Sequence, residues 1–446
     1  MSHGTIAERF AAWAHGVDLD AVPDPVIHVA RRAIVDTLGV LVAGGKDDGV
    51  RKLAKTLPAG SGACRAVGGR LLRAEDAALL NGMAAHVLDF DDTSYTGIMH
   101  GSCVVLPVAL SLVQEKRLSE RDLLEAFIAG SEIAYTLAEI STHQHYFRGW
   151  WSTATFGLIG ATVAAARLLG CSPTETTSAI GMAAVACGVG KAAFGTDGKP
   201  LLVGETCRRA ITFARAASVG LTGPAEAFED ASGFVHLMND GTADLERLAT
   251  LGRRWRLVDP GLLIKTSPVC SAAHAAIEQM ALLMRKIPRG AASIQTIEAE
   301  VPQLVADSLV YRIPHTPRQA QFSLPYAIAC AALNGRVRLE DLTENAIGDQ
   351  SKRALMERVE TRVAPDLSTD VMRAKYPESA RIVVTLADGQ EIEGFCGSAR
   401  GMPTRPLSDD EVLGKFEDCL VHAGSRVPKI SFDSTDLVAL ADSILE

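Results

Sequence analysis

The chain has 446 residues, 48% hydrophobic but only 5% aromatic, and carries a formal net charge of −9. That length and apolar content allow two or three domains with large cores, packed closely through small side chains. An acidic balance with no basic run excludes the electrostatic footprint of a nucleic-acid binder. No uncharged apolar run reaches the roughly 20 residues that a bilayer crossing needs, since Arg167 and similar charges interrupt the candidates, so no membrane partner is expected.

The helical pattern begins with Asp24-Pro25, read as an N-cap acid followed by a first-turn proline, and stops at Gly44-Gly45. Cys64 to Val67 reads as a short strand. Ser119 to Asp122 resembles a capping box opening a helix to about Ile140, and Ser172-Pro173-Thr174-Glu175 opens another ending near Gly188. Ser152–Gly170 and Glu205–Gly220 read as further helices rich in alanine and glycine. Beyond Gly261 the texture changes. Ser293–Val301 alternates like a strand, and Arg381–Phe395 reads as a hairpin whose Asp388-Gly389 suits a type I′ turn. Helices are expected near Phe322–Leu333 and Asp349–Val363, and again from Ser408 to Glu446. The fold class is therefore mainly α. An all-α domain covers 1–260, a smaller α+β domain 261–400, and a tail over 401–446 packs back on the helices.

Nine cysteines stand singly with no C-x-x-C pair, the usage of a reducing compartment in which thiols fill cores. The opening residues are too polar for a signal peptide, so a cytoplasmic protein is expected.

Chemistry concentrates in Asn81–Leu110, where Asp89, Asp91, Asp92, Thr93 and His100 lie between two apolar helices. Buried charge is costly unless paired or used. Three readings stand side by side: solvated acids at a helix end, a divalent-metal cluster, and a carbon-acid site in which carboxylate or imidazole moves a proton. The metal reading would need a second aspartate-rich helix, and the sequence has none. Lys199 lies in a glycine-flanked loop, FGTDGKP, and Lys265 lies at the domain junction in IKTSPVCSAAH. Both can snorkel, or can hold substrate carboxylates. His274 falls on the first turn of the following helix, where a cap competes with a substrate contact. Cys270 reads as core filler, proton carrier or nucleophile. Tyr146 lies in the aromatic loop HQHYFRGWW, which can pack or supply an acid or base.

These motifs, NGMAAHVLDFDDT with His100-Gly101-Ser102, Gly198-Lys199-Pro200, Lys265…Cys270…His274, RQAQFSLPY at 318–326 and GMPTRPL at 401–407, occur in one order along nearly the whole chain. Together they resemble the MmgE/PrpD family, whose members include 2-methylcitrate dehydratase, cis-aconitate decarboxylase and iminodisuccinate epimerase. The resemblance implies an α+β lid over a helical domain, a homodimer, and chemistry without metal or cofactor on a small di- or tricarboxylate held between the domains. It assigns Asp89, Thr93, His100, Tyr146 and Cys270 to catalysis, with His100 or Asp89 as base, and Lys199 and Lys265 to substrate carboxylates. Trp151 and Leu202 stand where many members carry histidine, so Trp151 and His274 complete the expected substrate contacts. The resulting expectation is a 2-methylcitrate-dehydratase-like hydro-lyase. An epimerase comes second and a decarboxylase third, because the decarboxylase-type histidines are absent at Trp151 and Cys270. A non-catalytic dimeric scaffold is the reading from another class.

Overall fold

In the computed structural model, which describes residues 4–60 and 62–446, apolar side chains gather into two large clusters. One draws on residues between Ile6 and Ile264 and again between Leu407 and Leu445. The other lies between Leu263 and Met402. The fold is mainly α-helical, with a four-stranded sheet and two short strand pairs among the described residues.

Small residues set the helix spacing in the first body. Helices Glu120–Ser141 and Ser152–Leu169 touch backbone to backbone, since a Cβ on Gly160 would lie 2.4 Å from the Gly130 carbonyl oxygen. Helices Ala74–His86 and Gly198–Ser218 meet in the same way through Gly82 and Gly204. That approach sets the start of the 198–218 helix, with Lys199, beside the segment that leaves His86. The Ser152–Leu169 helix corrects one sequence expectation. It is long and apolar enough to cross a bilayer, but 89% of its window is buried inside the fold.

The Ser119/Asp122 and Ser172/Glu175 capping boxes form, opening helices Glu120–Ser141 and Pro173–Ala186. A third box, Ser408 with Glu411, opens Asp409–Ala423, which lies along Asp24–Gly44 with Phe416 against Gly39. Several boundaries differ from expectation. Pro23, not Asp24, is the N-cap of the first long helix, and its side chain accepts no capping bond. Lys199 lies on the first turn of a helix rather than in a loop.

In chain order the strands are β1 (Cys64–Ala66), β2 (Arg70–Leu72), β3 (Thr93–Ser94), β4 (Leu262–Leu263), β5 (Ile294–Val301), β6 (Val359–Val363), β7 (Ala380–Leu386) and β8 (Glu391–Cys396). The four-stranded sheet runs β6-β5-β7-β8, parallel between β5 and β6 and antiparallel elsewhere. Helices His274–Met284 and Leu324–Asn334 cover it. The helix expected over 349–363 stops at Met356, and β6 follows. This edge strand buries only Val359, so it offers no alternating signal. In the β7–β8 hairpin only Gly389 has a positive φ (85°), and its N–H donates to the Leu386 carbonyl. The connection is thus a three-residue loop with a left-handed glycine, not the type I′ turn, which needs two positive φ values.

Candidate active site

The Ala74–His86 helix ends at Val87, and Asp89 turns the chain with φ 49°, a left-handed conformation that aspartate tolerates better than most residues. The next short strand, β3, pairs antiparallel with β4, Thr93 opposite Leu263, which brings Lys265 to the Asp89 segment. Lys265 Nζ donates to Asp89 Oδ2 at 2.9 Å and to the Asp89 carbonyl at 2.6 Å. Lys199 Nζ donates to Asp89 Oδ1. All three side chains are buried.

Burial alone would raise the Asp89 pKa, but the two ammonium groups outweigh it and hold the carboxyl well below the usual range. Burial opposes the charge on Lys265, and the carboxylates of Asp89 and Asp91 overcome that and raise its pKa. The triad therefore carries two positive charges and one negative in a buried setting, and its surplus is cationic. A lysine on a helix's first turn faces an unfavourable macrodipole, which the Asp89 carboxylate beside Lys199 offsets.

His100 stands at the end of a tight turn closed by reciprocal Ser94–Met99 backbone hydrogen bonds. Ile98 within it holds φ 54°, a strained value for a β-branched residue. Three acceptors face His100 Nδ1: the Asp92 carbonyl at 2.8 Å, Asp91 Oδ2 at 3.3 Å and Thr93 Oγ1 at 3.4 Å. A backbone carbonyl can only accept, so Nδ1 carries the proton and the neutral ring keeps its lone pair on Nε2.

Asp91 is shared with His86, whose Nδ1 lies 2.8 Å from the same Oδ2. Burial would raise the Asp91 pKa, but the two imidazoles hold it well below normal. Burial drops His86 to about 4, so its ring is neutral, and its Nε2 has no partner among the described residues. Asp92 differs. Burial lifts it to about 7 while Ser102 Oγ donates to Oδ2.

The opposite wall is aromatic. Lys199 Nζ lies 5.6 Å from the ring centre of Trp151, 5.3 Å from Phe194 and 5.0 Å from Phe322. Trp151 is fully buried and also packs against His86. Leu202 is half-buried one turn along from Lys199. Tyr146 is buried, with Lys191 Nζ 3.8 Å from its ring centre. Burial, then the neighbouring Cys270, pushes its phenol pKa up, so it is a neutral donor. Cys270 is half-buried and pushed up to about 12 by burial and by Asp89, which keeps the thiol protonated. The other eight cysteines are buried. His274 starts the His274–Met284 helix with Nδ1 3.5 Å from Thr266 Oγ1. Burial and then Lys265 lower it to about 3.

The fold thus brings Asp89, Thr93, His100, Lys199, Lys265 and Trp151 together, with Tyr146, Cys270 and His274 bordering them. Two roles change. The lysines clamp Asp89, where the sequence reading had them free for substrate alone, and Asp89, so held, is a weak base. Sequence reasoning passed over His86, three residues before Asp89 in the quoted motif, and that spacing was the available signal. It also passed over Glu378, which accepts from Tyr95 at 2.6 Å and Ser271 at 2.8 Å next to Cys270. Nothing local in AKYPES marks that residue. One donor atom each from His86, Asp89 and His100 converge within 4.8 Å. A dication there would face the ammonium groups of Lys199 and Lys265, which already occupy both Asp89 oxygens and oppose its charge.

Residues 8–246 match the MmgE/PrpD N-terminal domain and residues 267–434 the MmgE/PrpD C-terminal domain. The chain belongs to the MmgE/PrpD family. Among curated proteins it is similar to the cis-aconitate decarboxylase of Mus musculus, 27% identical over 92% of this chain and 86% of the relative. The Homo sapiens cis-aconitate decarboxylase is 28% identical over 92% and 87%. The cis-aconitate decarboxylase-like protein oryM of Aspergillus oryzae is 25% identical over 99% and 94%. Family membership and these relatives support an enzyme.

Proposed function

We propose that this chain is a cofactor-independent lyase acting on a small di- or tricarboxylate, most simply by dehydrating a 2-methylcitrate-like hydroxy acid. The observation that carries the reading is the convergence of Lys199 and Lys265 on Asp89, beside a histidine whose Nδ1 is tied to acceptors. The surplus positive charge would receive a substrate carboxylate. As His100 Nε2 takes a proton from the adjacent carbon, the lysines would stabilise the enediolate-like charge that develops. The carbon–oxygen bond then breaks, and hydroxide departs as water with a proton from Tyr146. Thr93 positions His100, and Trp151 and His274 border the substrate. Asp89 supplies the counter-charge that keeps two buried lysines ionised.

A second reading, decarboxylation, is favoured by the names of the relatives: a carbon–carbon bond breaks, CO₂ leaves, and the carbanion is protonated. Epimerisation is a third reading: with His100 as base, the protonated Cys270 thiol would return a proton to the opposite face. A lid role for the sheet-bearing body, pairing as a homodimer and a cytoplasmic location belong to the same proposal.

Incubation in D₂O with 2-methylcitrate, citrate, cis-aconitate and iminodisuccinate, followed by proton NMR, separates the products of all three reactions. We expect turnover of a hydroxy-polycarboxylate, abolished in Lys199→Ala, Lys265→Ala and His100→Ala. No turnover or exchange with any of the four acids would instead favour a non-catalytic scaffold. Full activity in both lysine variants would remove the carboxylate-binding role.

A further inference from the structure

A cavity of about 740 Å³ lies between the C-terminal Asp409–Ala423 helix and the segment that follows helix Leu324–Asn334. It shares Phe90 and Lys265 with the candidate site as a common wall, but Asp89, His100, Tyr146 and Lys199 do not line it. Its volume falls within the range of small-molecule sites.

Its cationic groups differ in how far they are already used. Lys265 is committed to Asp89, and Arg400 to Glu411, with Nε 3.1 Å from the carboxylate. Arg336 makes only a 3.8 Å contact with Asp418 while half exposed. Arg338 is exposed and makes no ion pair among the described residues. Lys415 is more than nine-tenths buried. Its Nζ lies 2.7 Å from Asp36 Oδ1 and donates to the Phe90 carbonyl at 2.8 Å. The ammonium also lies 4.0 Å from the centre of the Phe90 ring, so it supplies positive charge to the cavity wall rather than a free donor. The lining holds five cationic side chains, Lys265, Arg336, Arg338, Arg400 and Lys415, against three carboxylates, Glu340, Glu411 and Asp418, and the two loosely engaged guanidiniums of Arg336 and Arg338 can recognise several anionic oxygens at once.

We propose that this cavity binds a small polyanion, phosphorylated or polycarboxylate, at a site separate from the catalytic one. The binding does not depend on which reaction the catalytic site performs. Phe90 adjoins Asp89 in the chain and offers its carbonyl to Lys415, so the two sites share a backbone segment.

Calorimetric titration with pyrophosphate and, separately, tricarballylate tests this on wild-type protein, on Arg336→Ala/Arg338→Ala and on Lys199→Ala. We expect one of the two anions to bind wild type and Lys199→Ala alike, and to weaken by at least about tenfold in the double variant, the loss of charge-assisted hydrogen bonds. Since the catalytic site would itself take tricarballylate, the anion whose binding weakens in the arginine double variant yet survives in Lys199→Ala distinguishes a phosphate from a carboxylate ligand of this cavity. Both arginines are exposed, and an unchanged melting temperature checks the variant's fold. Arg338→Glu provides a second variant, expected to weaken binding further. Failure of both anions to bind wild type would overturn the proposal. So would unaltered affinity in the arginine variants, or binding that disappears only with Lys199→Ala.

Discussion

Lys199 stands between two walls built on different physics. On one side the Asp89–His100 segment presents acids that are buried and interlocked: two ammonium groups on Asp89, two imidazoles on Asp91, a hydroxyl on Asp92. On the other side Trp151, Phe194 and Phe322 offer only ring faces. The polar wall fixes protonation states, because in a buried network each proton is decided by its partners. The aromatic wall decides shape and excludes water, which strengthens every charge interaction across from it. Change on the first wall should therefore alter whether chemistry occurs. Change on the second should alter which substrate is accepted and how tightly.

Lys265→Met tests the polar wall hardest. It removes one of two charges balancing buried Asp89, so activity should fall by about a thousandfold or more, and stability by about 3–5 kcal/mol, the penalty of breaking a buried pair. Adding Asp89→Asn should recover much of the stability, read by chemical denaturation, but none of the activity. Recovery of both would mean that the triad serves folding alone.

His100→Asn should lower kcat by about a hundredfold to ten-thousandfold, the usual contribution of a positioned base, while its melting temperature stays near wild type. A large loss of stability with modest loss of kcat would reverse the assignment of roles within this wall.

Acid should expose the same wall through its neutral imidazoles. Burial holds His86 down to about 4; outside this wall His274, and His145 packed against Phe156 and Phe234, are held to about 3, against an ordinary value of 6.5. The unfolded chain takes up these protons near pH 6.5 while the folded chain resists until about 4 or below. Stability therefore falls as pH drops through that window and returns above it. Scanning calorimetry from pH 7 to 4 should show the melting temperature declining. His86→Gln should flatten the decline, and an unchanged slope would contradict the burial argument.

The aromatic wall should respond more gently. Trp151→Phe keeps a ring face near Lys199, and kcat/KM should fall by no more than about tenfold, chiefly through KM. Cys270→Ser should change kcat by less than about threefold, since a thiol pushed up to about 12 is not the proton acceptor. A larger effect would return Cys270 to the chemistry and favour epimerisation.

Local signals carried much of the architecture. Ser119, Ser172 and Ser408 each open a helix because a capping hydroxyl and an acid three residues on satisfy the first free N–H groups within one turn. The hairpin around Gly389 was legible for the same reason, although its loop type was not. Strands β3 and β4, two residues each, lie below any periodic signal. β6 was hidden by its single buried side chain, and Glu378 by an undistinguished context.

The sequence by itself determined which residue types were available to the site, and in what order: Asp89, Thr93, His100, Lys199 and Lys265 among helices rich in small residues. Their pairing was decided in three dimensions. Lys199 and Lys265 lie 110 and 176 residues from Asp89, and only glycine-mediated helix contact and the β3–β4 pair bring them within hydrogen-bond reach. Burial and distance, not chain position, set the strength of charge on charge. That is why the sequence could place Asp89 beside His100, while the tertiary structure made it the counter-ion of two lysines.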